Sequence, residues 1–130
     1  MTMTFTATFG LVPGYGHTTA FPHSPDGLVA DVVTEAIERV YRLSGVVVGC
    51  IVSHARCFYP QEFGCPVAGE YVVRVTGDHN PEFCGVDSWR EAATAVVDLI
   101  QIALKQQRVT LTFSPTEVMY LKSDPQQQAD

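Results

Sequence analysis

Tyr59 and Glu70 are the residues of this chain whose types and spacing best suit chemistry. They bracket a stretch that runs, from residue 56 to residue 70, Arg-Cys-Phe-Tyr-Pro-Gln-Glu-Phe-Gly-Cys-Pro-Val-Ala-Gly-Glu. If strands flank that stretch, Tyr59 leaves one strand and Glu70 enters the next, so the two approach each other at a hairpin mouth. A carboxylate at a strand edge beside a phenol can hold an ammonium or act as a base. A solvated glutamate and a packing tyrosine fit the same residue types. A second stretch, residues 14–21, mixes Gly14 and Gly16 with aromatics and small hydroxyls. That mixture suits a lid over a flat ring such as adenine, with His17 and Phe21 as candidate contacts, and it also suits an ordinary surface loop. Ser53 is a third candidate contact.

The usual catalytic signatures are missing. Gly14-Tyr15-Gly16 lacks the third glycine and the strand-to-helix setting of a dinucleotide site, and there is no P-loop lysine, G-x-S-x-G or H-E-x-x-H. His17, His23, His54 and His79 are scattered, as loop or partly buried polar residues are. Cys50, Cys57, Cys65 and Cys84 form no C-x-x-C pair, and His54 with Cys57 is an isolated H-x-x-C. Zinc needs four ligands, usually in paired spacings, so no metal site is expected. Reduced, buried or incidental thiols are the simpler account. No cofactor is implied.

The elements that must position these groups follow from periodicity. Residues 2–9 alternate threonine with Met3, Phe5, Ala7 and Phe9, which predicts a half-buried strand. A long Gly/Pro/Ser/Thr stretch, 10–27, follows, and loops of that length usually have a job. Ser24 or Asp26 caps a helix with Pro25 in its first turn, and Gly45 ends it. Leu28, Val29, Val32, Val33, Ala36, Ile37 and Val40 form its apolar face. Residues 46–53 are a continuous apolar run, predicting a strand buried on both faces. Residues 54–69 are irregular, and 71–75 form a third strand. Ser88 and Glu91 have capping-box spacing for a second helix. Residues 109–113 form a fourth strand, 117–122 a short fifth, and 123–130 a polar tail.

The order β-α-β-β-α-β is that of an α+β, ferredoxin-like sandwich, with one antiparallel sheet and two helices on one face. Residues 1–122 make one domain. The other sheet face is threonine-rich in the first strand, yet residues 46–48, Ile51 and Val52 keep supplying apolar groups. That predicts a homo-oligomer whose sheets pack together, a trimer being the common solution. Composition agrees with a folded domain: 130 residues, 46% hydrophobic, 17% charged, net charge -6. So few basic residues exclude a nucleic-acid or anionic-membrane footprint. No signal segment and no apolar run of roughly 20 residues is visible, so a cytoplasmic protein is expected.

The latter two thirds of the chain resembles the phage-encoded S-adenosylmethionine (SAM) lyases, long described as SAM hydrolases. The resemblance rests on Cys57-Phe58-Tyr59, on Glu70 directly before Tyr71-Val72-Val73-Arg74-Val75, on the Ala-rich second helix and on Val109-Thr110-Leu111. The loop before the first helix departs most from the family. The resemblance implies a trimer of ferredoxin-like subunits with interfacial sites in the cytoplasm of an infected bacterium. It also implies cleavage of SAM to methylthioadenosine and homoserine lactone, with Tyr59 and Glu70 matching the active-site tyrosine and glutamate. Removal of the methyl donor of host restriction systems is the role it implies. Two alternatives stand beside it. A PII-like trimer would bind an adenine ligand without turnover, but only eight basic residues are present to meet phosphates. A structural or inhibitory protein would use the open sheet for a partner.

Overall fold

The computed structural model describes residues 1–11 and 25–123. Its elements run β1 (Met3–Gly10), α1 (Pro25–Ser44), β2 (Ile51–Cys57), β3 (Glu70–Asp78), α2 (Val86–Ala103) and β4 (Thr110–Pro115), with a single 3-10 turn at Gln61–Phe63. The strands form one antiparallel sheet in the order β2-β3-β1-β4, the α+β ferredoxin-like arrangement.

Alternation in β1 decides the layering. Phe5, Ala7 and Phe9 are fully buried and stand beside Val73 and Val75 of β3, while Thr4, Thr6 and Thr8 take the opposite face. The helices cover the first face with Val29, Val33, Ala36 and Val40 from α1 and Trp89, Ala93, Val96 and Ile100 from α2. Trp89 lies 5.9 Å from Phe5 and 6.0 Å from Phe113, ring centre to ring centre, in the tilted and edge-on geometries aromatic pairs favour. Deleting so large a buried ring costs about 3–5 kcal/mol. Burial also pushes the Cys50 thiol up to about 11, so it packs as a neutral apolar group. His79 is buried against Trp89, and its Nε2 lies 2.8 Å from the Cys84 carbonyl.

Several sequence expectations are corrected. The second strand covers residues 51–57 rather than 46–53, and it is a largely exposed edge strand, not one buried on both faces. Val46 and Val48 still serve the core, but from the connection that crosses between α1 and β2. Val52 pairs with Val75 on the helix side, so Ile51 alone of that apolar run reaches the open face within the sheet. Asp26 falls inside α1, whose cap position at residue 24 lies outside the described residues. Helix α2 starts from Gly85 with no side-chain cap, so Ser88 and Glu91 do not form the expected box. Residues 116–123 add no strand. The Thr116 N–H donates to the Thr2 carbonyl, Val118 donates to the Thr2 hydroxyl, and Lys122 pairs with Glu82 at 2.8 Å.

Candidate active site

The β2–β3 hairpin is built from interactions within its own loop. Phe63 N–H donates to the Pro60 carbonyl, Gly64 to Gln61 and Gly69 to Pro66, each at 2.9 Å. Buried Cys65 anchors the interior, its Sγ accepting from the Tyr59 N–H at 3.5 Å and donating to the Pro66 carbonyl at 3.4 Å. Gly69 sits at φ +86°, and a side chain there would come within 2.8 Å of the Phe58 ring. Only glycine fits both the backbone and the space. On the helix side Arg56 donates to the Ala68 carbonyl and the Tyr71 hydroxyl, and its guanidinium lies 4.8 Å from the Tyr71 ring centre.

This scaffold brings Tyr59 and Glu70 together. The Tyr59 phenol lies close enough to the Glu70 carboxylate for the two to interact electrostatically. Desolvation first, and then the negative charge of Glu70, raise the Tyr59 phenol above its ordinary value. Tyr59 therefore stays protonated at neutral pH and acts there as a donor, not as a base.

Glu70 also borders a cleft. Strand register places it on the open face with Val72 and Arg74, opposite Cys57 of β2. The cleft beside it has a volume of about 130 Å³ and is shared with Thr8, Gly10, Val72 and the consecutive residues Gln106, Gln107 and Arg108. A side chain at Gly10 would come within 2.5 Å of Gln106 Oε1 and 3.4 Å of Glu70 Oε1, so the missing Cβ lets those groups converge. Lys105, at φ +55°, turns the chain out of α2, and the Gln101 amide donates to the carbonyls of Gln106 and Gln107. Residues 106–108 thereby enter from the far side of the sheet. Sequence reasoning missed Gln106 and Arg108. Their only local signal is the polar run Lys-Gln-Gln-Arg between an apolar helix and a strand.

The other expected contacts are not gathered here. Ser53 faces the open side opposite Arg74, but four residues before Cys57, roughly 13 Å along the strand. His17 and Phe21 lie outside the described residues. His54 and Cys57 point to opposite sheet faces, as residues three apart on a strand must, so H-x-x-C cannot chelate one ion. Among the described residues no cluster of metal-ligating side chains occurs. None of the described helices is long and apolar enough to cross a membrane.

A SAM lyase family model matches residues 1–122. The chain belongs to the SAM lyase family. It is accordingly an enzyme acting on S-adenosylmethionine. Two solved SAM lyase structures share its fold at low identity. One, a phage SAM lyase in complex with S-methyl-5'-thioadenosine, is 16% identical, with TM-score 0.56 over 87% of this chain and 80% of that one. The other, a phage SAM lyase in the apo state, is 12% identical, with TM-score 0.59 over 86% and 78%. No curated protein sequence matches the chain.

Proposed function

We propose that this SAM lyase family member cleaves SAM to 5'-methylthioadenosine and homoserine lactone. Attack comes from the substrate's own carboxylate. The observation that carries the reading is Glu70, with Tyr59 near it, at the edge of a cleft too small for the whole substrate. Small-molecule sites usually enclose roughly 300–1,000 Å³. About 130 Å³ suits the amino-acid end of SAM, which leaves the adenosine to groups outside the described residues of one chain.

The chemistry asks little of the protein. A carboxylate oxygen forms a bond to Cγ while the Cγ–S bond breaks, and its electron pair neutralises the sulfonium. No proton moves. The protein's task is to fold the methionine chain so that oxygen and Cγ meet, a proximity effect worth roughly 7–11 kcal/mol in favourable cases. Cation and anion annihilate in the transition state, so a drier cleft favours it. Glu70 holds the substrate ammonium, and Tyr59 orients the reacting end. An anion against the sulfonium itself would stabilise the reactant more than the charge-dispersed transition state. A homo-oligomer, a trimer by family resemblance, supplies the rest of the site from a neighbouring copy and acts in the cytoplasm of an infected host. Anti-restriction by methyl-donor depletion is the corresponding role.

The deciding experiment follows SAM by NMR as the purified chain acts on it. Methylthioadenosine appearing with homoserine lactone, before any homoserine, is the expected result. Homoserine formed with no lactone intermediate would make Glu70 the base for an attacking water instead. Absence of turnover by a folded chain would overturn the enzymatic reading altogether.

A further inference from the structure

Away from Glu70, clefts lie between the two helices. Two cavities of about 490 and 320 Å³ run along the α1–α2 seam and share Arg39 and Leu99. Residues 39–44 of α1 line the first with residues 88–99 of α2, and residues 31–39 line the second with residues 99–103, so the helices run antiparallel along one groove. Leu43 borders the first cavity at 79% exposure and Ile102 the second at 69%, with half-buried Leu99 between them. Apolar groups strung along a groove and rimmed by polar ones mark an interaction surface. The α1 side of the groove runs from Asp31 to Ser44, about 20 Å at 1.5 Å per residue, the length of a helix of three to four turns.

The rim selects the occupant. Asp31 borders the second cavity, and Glu91 and Asp98 border the first. Glu35 also lines the groove, but Arg42 engages its carboxylate at 3.3 Å. Arg39 is the only cation among the described lining residues. The same groove of a second copy would set its acidic rim against Asp31, Glu91 and Asp98, and anionic lipid or nucleic acid meets the same repulsion. A cationic polypeptide is attracted. Apolar positions spaced along a groove of this length match the i, i+3, i+4, i+7 anchors of an amphipathic helix.

We propose that the α1–α2 groove docks a basic amphipathic helix of a protein partner. The partner's apolar stripe fills the two cavities, and its lysines and arginines face Asp31, Glu91 and Asp98. Glu70 opens on the other side of the sheet, so docking leaves the catalytic cleft accessible.

The test uses the full chain and a fluorescent model peptide of about 15 residues, three to four helical turns. The peptide is built from leucine and lysine alone, with leucines at i, i+3, i+4 and i+7. A twin carries glutamate in place of lysine. Anisotropy titration should show saturable, salt-weakened binding of the lysine peptide and binding about tenfold or more weaker for its twin. Leu43→Ser, Ile102→Ser and Asp98→Lys, all at exposed positions, should each weaken the lysine peptide by about tenfold, with SAM turnover and sedimentation unchanged. No saturable binding, equal affinity for the two peptides, or binding indifferent to all three substitutions would overturn the proposal. A change of sedimentation in Leu43→Ser would overturn it too, by making the groove a contact between copies.

Discussion

Strand β3 carries a carboxylate on its open face at each end, and each has a tyrosine beside it. At one end Glu70 lies near Tyr59, and at the other the Tyr120 hydroxyl reaches the Asp78 backbone carbonyl at 3.4 Å. Both phenols are raised, first by desolvation and then by the neighbouring acid. The residue types match, but the space around them does not. Asp78 Oδ1 accepts from the Thr4 hydroxyl at 2.6 Å, and residues 116–122 fold back over that end of the sheet. Glu70 instead borders a cleft kept open by Gly10 and walled by residues 106–108. An acid–tyrosine pair becomes a candidate site where the backbone leaves room for a ligand, and a structural clamp where it does not.

The largest effect expected from that contrast is on Glu70. Glu70→Gln keeps the shape and removes the charge that fixes the ammonium, so kcat should fall by about 100-fold while binding by calorimetry persists. Equal losses of binding and turnover would reassign Glu70 to uniform substrate binding. Tyr59→Phe removes the hydroxyl that would orient the reacting end beside Glu70 and should lower turnover by about 10-fold. Its pH profile sharpens the point. The raised phenol keeps its proton through the neutral range, so the ratio of Tyr59→Phe to wild-type turnover should stay constant there, whatever the substrate ammonium does to both. A ratio that changes with pH near neutrality would show that Tyr59 titrates there.

Gly69→Ala attacks the hairpin without touching either polar group. Strain at φ +86° and the collision with Phe58 should cost about 1–3 kcal/mol in urea melts, with a matching loss of activity at elevated temperature. At the quiet end of the strand, Asp78→Asn should leave turnover within about twofold and lower stability by about 1 kcal/mol or less. A large loss of turnover there would break the distinction between site and clamp.

Much of the fold was legible because it is periodic. The Thr/apolar alternation of β1 and the 3.6-residue spacing of Trp89, Ala93, Val96 and Ile100 each admit one arrangement against a core. The second strand was misplaced because a continuous apolar run does not say whether it pairs in a sheet or plugs a core while crossing to one. Val46 and Val48 do the latter, and the strand proper carries Ser53, His54 and Arg56 because it lies at an edge. A fifth strand was expected over residues 117–122, but Thr2 satisfies the backbone of Thr116 and Val118 without a ladder. At the site, Tyr59 and Glu70 were legible because a hairpin is local. Gln106 and Arg108 were not, because nothing near them in sequence announces that the turn between α2 and β4 walls the cleft at Glu70.

The central place of β1 also bears on how the protein is made. Met3 pairs with Pro115, more than a hundred residues later, and Phe5 waits for both Gly77 and Phe113. At a synthesis rate of 5–20 residues per second, β1 spends on the order of 10 s outside the ribosome without its last partner. Closure of the sheet is therefore a late event, and one row of phenylalanines stays exposed to chaperones, proteases and other nascent chains until β4 arrives.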